Sequence, residues 1–193
     1  MGGPDDDREY PTHPTADGHI VTNRRLIPDI ATQNSLIVDT GGGLYSTVTN
    51  KAWKILEFTN KMSEVSCYIP GIKTMQCPTV NAATVARIPN RDEDVILLLN
   101  YATYIDDSNQ NESLLQPFQA VRHGVSMDLT PLVHGGKQNM VVDDIKLELE
   151  FDNEKLFCNI RKPTKHDLNN LEWFELTTPY PVDVLPCRTR QEL

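Results

Sequence analysis

Leu36-Ile37-Val38-Asp39-Thr40-Gly41-Gly42-Gly43 sets a carboxylate at the end of an apolar stretch and follows it, after one threonine, with glycines free to take almost any backbone angle. Two chemistries want that arrangement. In one, the carboxylate lies beside a second carboxylate, and the pair shares a proton because two such charges at close range do not both ionise. The ionised member then acts as base on a water while the protonated one polarises a peptide carbonyl. In the other, an Asp-x-Gly-Gly-Gly loop lets backbone amides approach the phosphates of ATP, with the aspartate near the metal. A third, purely structural reading is a tight turn closed by an aspartate side chain.

Other residues that could do chemistry are spaced less tellingly. His123, His134 and His166 lie far apart, with no carboxylate at helical spacing to complete a ligand pair, so no metal or other cofactor is expected. The pairs Asp106-Asp107 and Asp143-Asp144 could be hydrolytic acids, but each falls at a strand boundary where solvated turn carboxylates are common. Cys67, Cys77, Cys158 and Cys187 contain no CxxC pair, which fits a reduced, intracellular (cytoplasmic) setting. Trp53 and Trp173 read as core or interface anchors, with Trp173 laying its ring against a sheet from a final helix.

The elements that must position these groups are mostly strands. Ile145, Leu147, Leu149 and Phe151 alternate with Lys146, Glu148 and Glu150, and Asp152-Asn153-Glu154-Lys155 supplies a turn, so residues 144–161 are expected to form a hairpin. Further strands are expected at Ser35–Val38, Val65–Ile69, Thr79–Ile88 and Val95–Ile105. Two helices are expected, Glu112–His123 ended by Gly124 and Lys165–Trp173, the second with Thr164 and Asp167 in a capping box. Residues 1–30, rich in proline and acid, read as a disordered arm, and 177–193 as a proline-rich tail. Met1 is followed by Gly-Gly-Pro and Asp5–Asp7 without a basic and apolar leader, so no secretory signal is expected.

Length and charge bound the function. A chain of 193 residues, 39% of them hydrophobic, can bury one sizeable core. Its longest apolar run, Val95–Leu99, is far short of the roughly 20 residues a bilayer needs, so no membrane partner is expected. The 18 basic against 27 acidic residues, a net charge of -9, argue against a grip on nucleic acid. The ATP-binding alternative asks for two large domains and another glycine-rich loop, more than residues 31–176 can hold.

The residues around and after Asp39-Thr40-Gly41 resemble the retropepsin-like aspartic protease segment of copia-type retrotransposon polyproteins, particularly those of diatoms and related protists. Lys51-Ala52-Trp53-Lys54-Ile55-Leu56 is similar to the segment after the family's catalytic loop, and Tyr68-Ile69-Pro70-Gly71 to the element crossing behind that loop. Val95–Asn100 and Ser113-Leu114-Leu115-Gln116-Pro117-Phe118-Gln119 are similar to a later barrel strand and the helix after it. His123-Gly124-Val125, Asp128, His134-Gly135-Gly136, Gln138 and Ile160-Arg161-Lys162-Pro163-Thr164 complete a likeness that runs over residues 35–175.

The resemblance implies a mostly β, retropepsin-like closed barrel over 31–130, with a C-terminal extension of hairpin and helix over 131–176. It implies an aspartic endopeptidase with Asp39 as the catalytic carboxylate and Thr40, Gly41 and Gly42 supporting its loop. With one Asp-Thr-Gly per chain, the active form would be a homodimer, and the substrate an extended peptide of the element's own polyprotein. Asn90, Arg91, Asp92 and Glu93, at a hairpin tip, are the candidate flap over that peptide. The charged tip leaves an alternative open: a β-rich interaction module that has lost its catalysis.

Overall fold

Aliphatic and β-branched runs bounded by turn residues become strands in the computed structural model, which describes residues 34–40, 44–65, 74–106 and 110–180. In chain order these are β1 (Asn34–Val38), β2 (Thr47–Thr49), β3 (Lys54–Val65), β4 (Met75–Ile88), β5 (Glu93–Ile105) and β6 (Glu112–Leu115). Helix α1 (Pro117–His123) follows, then β7 (Ser126–Asp128), β8 (Asn139–Val142), β9 (Ile145–Glu148), β10 (Glu150–Asp152), β11 (Lys155–Arg161), α2 (Lys165–Asn170) and β12 (Trp173–Glu175).

Six strands close a barrel in the order β1-β6-β2-β5-β4-β11, with β11 returning to β1. The β1–β6 and β2–β5 contacts are parallel and the others antiparallel. Closure leaves these strands no bare edge over their paired lengths. Strand β3 extends the sheet beyond β4, β12 lies along β5 in parallel, and β7-β8-β9 form a separate small sheet. Leu36, Leu97 and Leu115 from the barrel share one core with Trp53, which precedes β3, and with Met140, Ile145 and Leu147 from the small sheet. The segment expected as an extension, 131–176, therefore supplies both the barrel's closing strand β11 and part of its core.

Burial on two faces explains the unbroken apolar character of β5. Leu97 and Leu99 point into the barrel, whereas Ile96 joins Ala83 and Val85 in a second cluster under Leu168 and Leu171. The β4 strand meets this with small residues, Ala82, Ala83 and Ala86, where neighbours lie close on both sides. Trp53 is fully buried, and its indole N–H donates to Ser113 Oγ at 2.9 Å.

Several elements differ from the sequence expectation for identifiable reasons. Glu112–Leu115 is a strand, because Pro117 disfavours helical backbone in the residue before it; the helix begins only at Pro117, with Gln116 as its N-cap. The 144–161 hairpin is two structures. Tight turns with positive φ at Asp143 and at Asn153-Glu154 pair β9 with β8 and β10 with β11, so the alternating run breaks at Leu149. Phe151, on the apolar side of that run, is consequently 62% exposed. Helix α2 carries the capping box of Thr164 and Asp167 but ends at Asn170, since pairing with β5 draws Trp173–Glu175 into a strand that buries Phe174 and leaves Trp173 40% exposed. Strand β3 covers 54–65 rather than the expected 65–69, and residues 66–69 lie outside the described ones. So do the 1–30 arm and 181–193 of the tail, whereas Thr177 and Thr178 are buried.

Candidate active site

Asp39 leaves the barrel at the C-terminal end of β1, between antiparallel β11 and parallel β6. Leu36 and Ile37 fix the strand by burial, and the Asp39 N–H donates to Leu115 O at 3.1 Å, one step past the last ladder pair, Val38 with Leu115. The carboxylate residue is half-buried and Thr40 is exposed. Gly41 and Gly42 lie outside the described residues.

The far end of this loop is tied to the same place. Ser46 donates from both its N–H and its Oγ to Gln119 Oε1, each at 2.9 Å, and Ser46 Oγ accepts the Gln116 N–H at 3.0 Å. The Thr103 N–H donates to Ser46 O at 2.8 Å. Residues 39 and 46 are thus both moored on the β6–α1 junction. The bond to Leu115 O fixes the backbone at Asp39, as positioning a carboxylate for water activation requires. Ser46 and Gln119 were not legible as site residues; the one signal is a glutamine where α1 buries its neighbours Pro117 and Ala120.

The expected flap residues occupy the turn between β4 and β5, as a hairpin tip, and are exposed. They are also fastened. Arg91 Nη2 donates to Asp144 O at 2.8 Å and to Asp144 Oδ2 at 3.0 Å, and Arg87 pairs with Asp92 and Asp94. Arg91 holds the Asp144 carboxyl below the usual carboxylate range. The tip thus touches the β8–β9 turn through one exposed pair. The hairpin with an overhang is β3–β4: Met62–Val65 pair with Met75–Pro78 beyond the first β4–β5 pair, Thr79 with Thr103. Its connecting residues 66–73 are outside the described residues, and they include Tyr68-Ile69-Pro70-Gly71.

Behind the tip, Arg161 forms a two-pronged pair with Asp167, at 2.6 and 3.1 Å, and a third bond to Asp94 at 2.8 Å. The guanidinium of Arg161, with the Thr164 amide, holds the Asp167 carboxyl well below its ordinary range. For Asp94, burial pulls the pKa up, but Arg161 and Arg87 outweigh it and the carboxyl ends lowered. A cavity of about 450 Å³ lined by Asn34, Val85, Arg87, Asp94 and Arg161 opens here, at the Asn34 end of β1 and thus at the opposite end of that strand from Asp39.

The remaining candidates are scattered. Asp106 accepts Asn50 Nδ2 at 2.6 Å and the Tyr104 hydroxyl at 3.1 Å, while Asp107 lies outside the described residues. Asp143 and Asp144 make a two-residue turn. His123, His134 and His166 sit on α1, on the turn of 3-10 helix Leu132–His134 and on α2 respectively. Among the described residues no three His, Cys, Asp or Glu side chains gather as a metal site would require, and no helix is long and apolar enough to cross a membrane. No protein-family model, curated protein or solved structure matches the chain.

Proposed function

We propose that the chain is an aspartic endopeptidase of retropepsin type, active as a homodimer in which two Asp39 carboxylates meet across a two-fold axis. The observation that carries this reading is the half-buried Asp39 at the mouth of a closed six-stranded barrel, its N–H bound to Leu115 O, followed directly by Thr-Gly-Gly-Gly. One chain offers one such loop, so a carboxylate pair needs a second copy. The ionised Asp39 takes a proton from water, whose oxygen attacks the peptide carbonyl carbon, while the protonated partner donates to the carbonyl oxygen. Transfer of a proton to the peptide nitrogen then lets the C–N bond break and leaves an acid and an amine.

The substrate is an extended segment of a retroelement polyprotein, bound as an added strand. Two hairpins are placed to be its cover: the exposed tip at 90–93, and β3–β4, whose Met62–Val65 and Met75–Pro78 pair beyond the β4–β5 ladder. The Asp-x-Gly-Gly-Gly loop of an ATP-binding protein finds little support, because the described residues share one barrel and its core rather than two large domains.

The test is cleavage of an unfolded protein substrate between about pH 3 and 6, the range in which a carboxylate dyad holds one proton. Cleavage that pepstatin blocks, that Asp39→Asn abolishes and that follows the dimer fraction in sedimentation supports the proposal. A folded wild-type chain that cleaves nothing over that range overturns it in favour of the interaction module.

A further inference from the structure

We propose that Thr177, distant in sequence from the catalytic loop, is a positioning residue for Asp39, acting through Asn100, Gln119 and Ser46. All four residues are buried, and their polar atoms interlock without a gap. The Thr177 hydroxyl accepts the Asn100 N–H at 2.7 Å and donates to Asn100 O at 3.0 Å, while Asn100 Nδ2 donates to Thr177 O at 2.9 Å. Asn100 O accepts a second bond, from Gln119 Nε2 at 3.0 Å. That bond fixes the amide of Gln119 with Oε1 turned toward Ser46, where it takes both the N–H and the hydroxyl.

Each link has one orientation that satisfies its neighbours. Rotating the Gln119 amide would set Nε2 against the Ser46 donors and Oε1 against Asn100 O, so the network has a single low-energy state. Removing one buried member strands the next, which then gains by moving. Thr177 is the terminal lock, because its hydroxyl alone holds both main-chain groups of Asn100 by its side chain. The Leu115–Gln116 peptide joins this network to Asp39, since its N–H donates to Ser46 Oγ at 3.0 Å and its carbonyl accepts the Asp39 N–H at 3.1 Å. The backbone at Asp39 is therefore set in part by the segment after β12, where the sequence suggested the start of a tail.

The kinetic consequence rests on the peptidase reading; the structural coupling does not, and the full-length chain tests the two separately. Thr177→Val removes the hydroxyl at nearly constant shape, and Thr177→Ser restores it. In amide hydrogen exchange, Thr177→Val should speed Ser46 and Asn100 by about tenfold or more while Ala83 and Val85 in β4 keep their wild-type rates, and Thr177→Ser should return them. With peptide substrate, kcat should fall about 10- to 100-fold with KM within about threefold, as a misplaced catalytic group predicts. Unchanged exchange at Ser46, or faster exchange with kcat unaltered, overturns the proposal. A wild-type chain without peptidase activity removes the kinetic readout and the peptidase reading together, and leaves the exchange comparison to decide the coupling. Should Thr177→Val fail to fold, the unmodified chain decides: Ser46 and Asn100 amides that open with one common free energy support the coupling, and distinct opening energies refute it.

Discussion

Replacing Asp167 by asparagine isolates the charge that binds α2 to the barrel. The carboxylate accepts four hydrogen bonds, two from Arg161 at 2.6 and 3.1 Å and two from Thr164, from N–H at 2.7 Å and from Oγ at 2.8 Å. Asparagine keeps one carbonyl oxygen for the helix cap but turns an amide donor toward the guanidinium. Hydrogen bonds to a charged partner contribute about 1.5–3 kcal/mol, and the lower end applies because Arg161 is half open to water and keeps Asp94. The expected loss is about 1.5–2 kcal/mol at neutral pH, read as a lower urea midpoint at constant slope. The pH dependence has a definite sign. Arg161 depresses the folded-state pKa of Asp167, so its contribution is complete above the unfolded value of about 3.9 and declines as pH falls below it. The gap between wild type and Asp167→Asn should therefore be full at pH 7, nearly full at pH 5, and smaller at about pH 2.5. A gap below about 0.5 kcal/mol at pH 7, or one that is the same at both extremes, refutes the assignment.

Arg91→Ala should leave the urea midpoint nearly unchanged, because its pair with Asp144 is exposed, and should leave peptide KM unchanged if β3–β4 is the flap; a several-fold rise in KM would assign the flap to the 90–93 tip. Trp53→Phe removes the bond to Ser113 and part of a fully buried ring, which should lower stability by about 2–3 kcal/mol by the same assay. Burial pushes the Cys158 thiol up to about 12, so a chain with the other cysteines replaced by serine should resist a thiol reagent at pH 8 while folded and react at once in denaturant; rapid native labelling would contradict its burial. Gly136→Ala should destabilise the loop after β7, since a Cβ there overlaps the Thr130 carbonyl; exchange at Lys137, whose N–H binds Asp128, should report it.

Strands whose residues meet neighbours on both faces were legible, and β4 and β5 fall where the apolar runs of Thr79–Ile88 and Val95–Ile105 put them. The capping box of α2 was equally legible because its whole mechanism lies within four residues. Strand β3 was not: most of its side chains face water, so its pattern carries no alternation, and pairing with β4 alone makes it a strand. The break at Leu149 was hidden for the opposite reason, since a perfect two-residue period says nothing about which partner each half will choose. For the site, the position of Asp39 after an apolar strand was readable. The anchoring of its loop was not, because Asn100, Gln119 and Thr177 become neighbours only when β5, α1 and the chain after β12 come together.

Barrel closure by β11 sets a condition on biosynthesis. Residue 34 pairs with residue 160, so β1 and β4 leave the ribosome with their outer hydrogen-bonding groups unanswered and wait for nearly the whole folded region to be translated. Ribbons of that kind join whatever strand they meet, and long-range pairings form slowly. A product that stops near residue 130 would keep the Asp-Thr-Gly loop and lose the stave that shuts the cask, and it would aggregate instead of forming a smaller barrel.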